Sequence, residues 1–256
     1  MTCLTCSCRR ANRLCTFTIT TALLLLAASH VARAQTFVDT FEGGVNSAGW
    51  TFNSQSPDIV EPAGGNPGAW LHNPGLDTFA PILTNTIGTP SLFTGNLRAR
   101  QVTSIGVDAR TDAATFGAGG RQFSILLRNI RGTPNDPDDD DYAYFVGPLV
   151  PQVGEGWKSF NFNIPSQDTS AVPAGWSGGH AGDPENFRPG VTWNDVITNV
   201  DSVEFWWLHP AFFAIFQQWD VGVDNVRVTA IPEPTGALAL SGLALAGVAR
   251  RRRRTA

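Results

Sequence analysis

The sequence predicts an all-β protein, an antiparallel β-sandwich of the jelly-roll type, held between two terminal segments of different composition. Short apolar stretches alternate with polar residues and are separated by Gly, Pro, Asn and Asp, which is typical of strands and tight turns. Sustained helical periodicity is almost absent. Both ends of the chain combine arginines with an apolar run. We therefore divide the chain into residues 1–34, 35–230 and 231–256, with the sandwich in the middle.

The first 34 residues resemble a cleaved signal peptide in composition. Three arginines precede an apolar stretch at 17–28, and Ala32 and Ala34 supply the small residues at −3 and −1 of a cleavage site before Gln35. We expect signal peptidase to cut there. The four cysteines, all upstream of that site, are Cys3, Cys6, Cys8 and Cys15. The mature fold must then be stable without disulfides.

Nine strands are predicted in the middle segment. They lie near Thr36–Glu42, Trp50–Asn53, Ala69–Asn73, Arg98–Arg110, Arg121–Ile130, Tyr142–Gly147, Trp157–Ile164, Ser202–Leu208 and Trp219–Thr229. In the last of these the apolar residues change phase near Asp224, which predicts a β-bulge. A short helix is predicted at Trp193–Asn199, where Thr192 and Asp195 form an approximate capping box.

The charge of the middle segment limits its partners. Residues 35–230 contain nine basic and 21 acidic side chains, a net charge of −12, whereas the whole chain has −4. Nucleic acid and anionic lipid are unsuitable partners for such a surface. Divalent cations and neutral glycans suit it better.

The C-terminal segment has three parts in a fixed order. The triplet Pro232, Glu233 and Pro234 favours an extended, accessible backbone. An uncharged run at 236–249 follows, which as a helix would be about 21 Å long, shorter than the roughly 30 Å hydrocarbon core of a bilayer. Snorkelling of the basic residues after it can make up the difference. Those residues are Arg250, Arg251, Arg252, Arg253 and Arg254.

This order of proline triplet, apolar segment and arginine cluster resembles the PEP-CTERM sorting signal of Gram-negative bacteria. The resemblance implies a protein that is exported, anchored transiently in the inner membrane by a C-terminal hydrophobic helix and processed by an exosortase. It further implies a final place at the cell surface or in the extracellular matrix, in strains that make exopolysaccharide.

A second resemblance concerns the sandwich. The stretches 38–43, 156–160 and 223–228 resemble the first, a middle and the last strand of galactose-binding-like jelly rolls, which include carbohydrate-binding modules and laminin B type domains. In that group the first and last strands often share a structural calcium ion. The resemblance implies calcium ligands at Asp39 or Glu42 and at Asp224, with backbone carbonyls and water completing the shell. The alternative is that these carboxylates are solvated strand ends or turn formers.

Acidic and aromatic clusters are further candidates. Five aspartates at 136–141 lack the spacing of an EF-hand, and we expect a solvated loop there. Trp206 and Trp207 are adjacent on one strand and must face opposite sides, so one can enter the core while the other faces out or lies under a loop. The apolar connection 209–216, with three phenylalanines, either packs over a sheet or forms an exposed patch.

Catalytic motifs are weak. The stretch 175–179 matches a nucleophile elbow, but its glycines predict a loop rather than a strand followed by a helix. Glu204, next to three aromatic residues, is the best acidic candidate, although an outward-facing structural role is the simpler interpretation. The sequence and the two resemblances therefore predict an exported, non-catalytic surface or extracellular-matrix protein that binds or is associated with exopolysaccharide, or that is a structural part of the envelope or matrix. The alternative is a secreted glycoside hydrolase that uses acidic residues.

Overall fold

Twelve strands and one α-helix are found in the part of the chain that the computed structural model describes, residues 33–85, 91–133, 136–168 and 171–231. The strands are β1 (Gln35–Asp39), β2 (Trp50–Phe52), β3 (Ile59–Gly65), β4 (Gly68–Thr78), β5 (Ile82–Asn85), β6 (Val102–Ala114), β7 (Gln122–Asn129), β8 (Asp141–Leu149), β9 (Lys158–Asn163), β10 (Trp176–His180), β11 (Ser202–Trp206) and β12 (Gln217–Ala230). The helix, α1, is Trp193–Ile197, and 3-10 turns occur at Glu42–Gly44 and Pro137–Asp139.

The strands form two antiparallel sheets. Sheet A has the order β3-β4-β12-β6-β9, with β1 beside the second half of β12, and sheet B has the order β10-β8-β7-β11-β5-β2. The first and last strands pair from Gln35 with Ala230 to Asp39 with Val226. The predicted all-β sandwich of jelly-roll type is confirmed.

Aromatic side chains fill the space between the sheets. Phe123 of β7 stacks on Phe160 of β9 with ring centroids 4.0 Å apart, and Trp207 meets Phe123 edge-on at 4.8 Å. Each is at most 2% exposed. Burying rings of this size gives the largest apolar contribution per residue, so the sandwich can be stable without disulfides.

All nine predicted strands overlap observed ones, and the bulge near Asp224 is confirmed by a register shift between Asp224 and Arg227 against β6. The helix is confirmed at Trp193–Ile197, and its capping box is complete: Thr192 Oγ1 accepts from Asp195 N, and Asp195 Oδ2 accepts from Thr192 N at 2.8 Å. Three strands, β3, β5 and β10, were not predicted.

Candidate functional site

The outer face of sheet B carries an aromatic cluster separate from the main core. Leu126, Tyr142 and Tyr144 are buried there, and Trp206 packs against them. Trp206 remains partly exposed, whereas the next residue, Trp207, is fully buried between the sheets. The prediction that these two tryptophans face opposite sides is therefore confirmed.

An ion pair fixes the Trp206 side chain in place. Arg128 Nε and Nη2 donate to the two oxygens of Glu204 at 2.7 and 3.1 Å. The indole nitrogen of Trp206 donates to Glu204 Oε2 at 2.8 Å, and Ser202 Oγ donates to Oε1 at 3.0 Å. Because the acceptor is itself held by two charged hydrogen bonds, the orientation of the indole ring is set before any ligand arrives.

The same arginine also pairs with a second carboxylate. Arg128 Nη1 lies 3.2 Å from Asp140 Oδ2, and the guanidinium group lies 5.3 Å from the Tyr142 ring centroid. Burial lowers the pKa of Arg128, but the charges of Glu204 and Asp140 outweigh it and hold the pKa above its ordinary value. Burial raises the pKa of Asp140, and Arg128 opposes that rise. Glu204 lies on the outer face as expected, yet it is only 6% exposed because this network covers it.

The connection after β11 borders this face. His209 stacks on Phe212 with centroids 4.4 Å apart and meets the edge of Tyr144 at 5.6 Å. Burial lowers the pKa of His209, so the ring is neutral near pH 7. The site therefore combines an aromatic plane, tyrosine rings and a neutral imidazole.

The phenylalanines of this connection form an exposed patch rather than a cover for a sheet. Phe213 is 89% exposed, and its ring centroid lies 6.3 Å from that of Phe79. Phe216 meets Phe79 edge-on at 5.4 Å and is 55% exposed. Of the two possibilities left open by the sequence, the exposed patch is the one observed.

The outer face of sheet A has a second aromatic group. The Arg110 guanidinium lies 4.2 Å from the ring centroid of Trp70 and 4.9 Å from that of Trp157. Trp70 is 4% exposed and lies over Gly222, where a Cβ would overlap its ring. Trp70 has no free face for a ligand, and the partly exposed Trp157 is already covered on one face by Arg110.

The predicted calcium ligands fall in two places. Glu42 Oε1 accepts from Ala69 N at the start of β4 at 3.1 Å, and Asp224 Oδ2 accepts from Asn66 N in the turn between β3 and β4 at 2.5 Å. Asp39 instead accepts from Ala48 N at 3.2 Å. Burial, with the nearby charges of Asp108 and Glu42, raises the pKa of Asp224 to about 6. Calcium at this turn stays a prediction.

Asp108 also contacts the turn between β3 and β4, and it was not singled out from the sequence. It accepts from Asn66 Nδ2 and Asn225 Nδ2, each at 3.0 Å, and from Arg227 Nη1 at 2.9 Å. Its position inside a predicted strand gave no sign of this role.

The acidic run at 136–141 differs from the expected solvated loop. Its last two residues are buried, with Asp140 paired to Arg128 and Asp141 to Arg131 and Arg188. The expectation of a solvated loop did not include these three arginines, whose positive charges compensate the two buried aspartates.

The glycine-rich stretch at 175–179 is a strand and not the predicted loop. β10 pairs with β8, and a Cβ at Gly178 or Gly179 would overlap the rings of Phe187 or Tyr142. The glycines are needed for close packing. Ser177 lies within this edge strand, and no helix follows it directly, so the geometry of a nucleophile elbow is not formed.

The predicted terminal signals lie largely outside the described residues. These are Ala32 of the cleavage site and the sorting residues Pro232, Glu233, Pro234 and Arg250 to Arg254. Ala34 and Gln35 are described, and Gln35 begins β1 at an exposed position. Among the described residues, no helix has the length and apolar character needed to cross a bilayer.

Part of the site had a signal in the sequence. Tyr142 and Tyr144 are two apart in one predicted strand and so share a face, and Glu204 and Trp206 do likewise. The pairing of Arg128 with Glu204 needed the neighbour relation of β7 and β11, which periodicity does not provide.

Residues 230–254 match the PEP-CTERM protein-sorting motif, as predicted. Comparison with curated protein sequences gives no match.

Solved structures with a similar arrangement of strands include carbohydrate-binding modules. A family 11 module from Clostridium thermocellum, in complex with a β-1,3-1,4-mixed-linked tetrasaccharide, has 15% identity and a TM-score of 0.45 over 78% of this chain and 97% of the module. A family 30 module has 14% identity and a TM-score of 0.37 over 77% and 91%. An exo-β-agarase has 13% identity and a TM-score of 0.43 over 78% and 25%. Likeness at this level assigns no ligand.

Proposed function

We propose that this protein is an exported, non-catalytic polysaccharide-binding protein, sorted by exosortase through its C-terminal motif and associated with exopolysaccharide. The sorting motif at 230–254 implies export and transient anchoring in the inner membrane. The final destination under this proposal is the cell surface or matrix of a Gram-negative bacterium. Binding is assigned to the outer face of sheet B.

The observation that carries the binding proposal is the fixed indole of Trp206. Sugar rings present flat apolar faces that stack on aromatic planes, and a plane held in one orientation loses little entropy when a ligand binds. Trp206 is partly exposed, and Glu204 holds its nitrogen at 2.8 Å. Within the described residues no other aromatic ring stacks on it. Tyr142 and Tyr144 of β8, two strands away from β11, are buried and support this face rather than adding exposed area.

The same contacts favour binding over hydrolysis. A glycosidase needs one carboxyl group that donates a proton and a second that acts as base or nucleophile. Glu204 and Asp140, the two buried acidic side chains of this face, both accept from Arg128. Carboxylates held in such an ion pair are suited to keeping a structure fixed rather than to exchanging protons with a substrate.

Affinity electrophoresis in gels that contain soluble β-glucan, galactan or the exopolysaccharide of the producing strain tests this proposal. We expect retardation of the purified protein in at least one gel, and about tenfold weaker binding for Trp206→Ala, which corresponds to roughly 1.4 kcal/mol. Trp157→Ala is the matched control, because Trp157 is the partly exposed tryptophan of the opposite face.

The assignment to sheet B would be contradicted if Trp206→Ala and Trp157→Ala lose the same amount of affinity. It would also be contradicted if the retardation of Trp206→Ala equals that of the parent. Release of reducing ends from a retained polysaccharide would contradict the non-catalytic role and favour the hydrolase.

The sorting part of the proposal has a test of its own. Replacing Pro232 and Pro234 by alanine should leave the unprocessed chain in the inner membrane fraction. Normal processing of that variant would contradict sorting through this motif.

A further inference from the structure

A histidine and two aspartates meet on the outer face of sheet A. The ligand atoms of His72, Asp112 and Asp220 all lie within 4.8 Å of one another. They come from three adjacent strands at the centre of the sheet, β4, β12 and β6. A ligand bound to all three residues would therefore link these strands. This face is opposite the proposed glycan surface, and the inference does not depend on it.

The register of the strands brings the two aspartates together. Gly222 of β12 pairs with His72, and Asp220 lies two residues away on the same face. Asp220 pairs with Ala113 of β6 and Val221 with Thr111, so Asp112 is an extra residue in a β-bulge. Bulges often redirect a side chain next to a functional site. Here the bulge places Asp112 beside the other two ligands.

The surroundings of His72 hold its ring in place and give each ring nitrogen a carboxylate neighbour. Trp70 stacks on the imidazole with centroids 4.3 Å apart and an interplanar angle of 27°. Glu61 Oε1 lies 3.4 Å from Nδ1, so Nδ1–H can donate to it. In that tautomer Nε2 presents a lone pair to Asp220 Oδ1, only 2.7 Å away. Two such acceptors can lie so close only with a proton or a cation between them. A carboxylate behind a histidine that binds metal is a recurring arrangement.

The local charge fits a divalent ion. Glu61, Asp112 and Asp220 carry three negative charges, and Arg110, 2.7 Å from Asp112 Oδ2, carries one positive charge. With a neutral imidazole the net charge is −2, which a dication balances. The side chains of His72, Asp112 and Asp220 are 15%, 36% and 29% exposed, so water can reach the site.

We propose that His72, Asp112 and Asp220 bind a divalent transition-metal ion of the zinc type, with Glu61 positioning the histidine. One imidazole nitrogen with carboxylate oxygens is a zinc donor set, whereas calcium and magnesium prefer oxygen alone. In a tetrahedral zinc site His72 Nε2 and the Asp220 oxygen would lie about 3.3 Å apart, so binding opens that contact by roughly 0.6 Å.

Zinc titration of the purified full-length protein by calorimetry tests the site, after removal of metals by chelation and alkylation of the four N-terminal cysteines. We expect one zinc ion per chain, at least about tenfold weaker binding in His72→Ala and in Asp112→Asn, and roughly tenfold weaker binding in Glu61→Gln. Calcium and magnesium should compete poorly. His180→Ala is the matched control and should bind as the parent does.

Circular dichroism and the melting temperature of each metal-free variant show whether it is folded, and Asp112→Asn keeps the shape of the side chain should His72→Ala be unstable. Cobalt, used as a visible probe, should give the absorption of a tetrahedral site in the parent and lose it in His72→Ala. The proposal is wrong if zinc does not bind, if binding is unchanged in folded His72→Ala and Asp112→Asn, or if calcium binds as tightly as zinc.

Discussion

Single residues decide which parts of the two outer faces can meet a ligand. The sequence could predict that Trp206 and Trp207 face opposite sides, because side chains alternate along a strand. It could not tell which of the two is exposed, since that depends on what covers the outer face. The contacts that decide this come from Arg128 and Tyr142, more than 60 positions away in the sequence.

The first residue-scale prediction concerns the buried acceptor of this network. Replacing Glu204 by alanine leaves Arg128 with one buried partner fewer and the Trp206 indole nitrogen without its acceptor. Removing one member of a buried pair costs about 3–5 kcal/mol. We expect a loss of that order in the free energy of unfolding, measured by urea denaturation. Asp77→Ala, at an exposed position, should change it by less than about 0.5 kcal/mol. A change as small in Glu204→Ala would show that the ion pair contributes little.

The second residue-scale prediction concerns pH. Burial, then the charges of Asp108 and Glu42, raise the pKa of Asp224 to about 6, whereas an unfolded aspartate has a pKa of about 3.9. The folded chain therefore binds this proton more tightly. The stabilising effect is complete below about pH 4 and is lost as the pH rises to about 6, up to roughly 2–3 kcal/mol. In buffer that contains a chelator, urea denaturation of Asp224→Asn should show a flatter profile than the parent across this interval.

Parallel profiles for Asp224→Asn and the parent would contradict the raised pKa, and Asp77→Asn serves as the exposed control.

The same measurement of stability against pH also tests the predicted calcium ion. We propose that calcium binds Glu42 and Asp224, and a bound dication would keep Asp224 ionised. Adding calcium should then raise the stability near pH 7 and remove most of the difference between parent and variant. Calcium without effect on the parent would contradict that proposal.

At the scale of elements, the sequence predicted strands where apolar residues alternate and missed those where they do not. β3 (Ile59–Gly65) contains Pro62 and two glycines, which suit an edge strand but resemble a loop in sequence. β10 (Trp176–His180) contains Gly178 and Gly179 because rings from other segments occupy the space beside them. In a sequence, a glycine that makes room for a neighbouring side chain looks the same as a glycine that a turn requires. Only the structure shows which neighbours are present.

The element-scale prediction concerns close packing in the middle of sheet A. A Cβ at Gly222 of β12 would overlap the Trp70 ring, which also contacts the Arg110 guanidinium. We expect Gly222→Ala to lower the free energy of unfolding by about 1–3 kcal/mol, typical of overpacking, even though alanine restricts the unfolded chain. Gly75→Ala in β4 is the matched control, because its nearest atom, Ser56 Oγ, is 3.7 Å away. Thermal unfolding measures both, and equal melting temperatures would contradict the packing argument.

At the scale of the whole sandwich, the pairing of the strands places different segments of the chain at its two opposite ends. β1 pairs with the last residues of β12, so Gln35 and Ala230 lie side by side and the chain enters and leaves the sandwich at the same end. β12 has 14 residues and spans about 46 Å, so the exposed Phe216, just before it, lies at the other end. The sequence indicated an apolar connection at 209–216. Its place at the end remote from Gln35 and Ala230 followed only from the pairing of the strands.

The charge of the whole sandwich leads to the last prediction. With a net charge of −12 over residues 35–230, the surface repels polyanions, and stacking on Trp206 needs no charge on the ligand. Retention on a neutral polysaccharide should therefore stay constant between about 0.1 and about 1 M salt, where the Debye length falls from about 10 to about 3 Å. Affinity electrophoresis at both salt concentrations measures this, with alginate as the anionic comparison. Binding to alginate that weakens as salt rises would show an electrostatic site and contradict a neutral glycan as the ligand. Because screening acts on every exposed charge alike, this result would separate the two ligand classes without knowledge of the sugar itself.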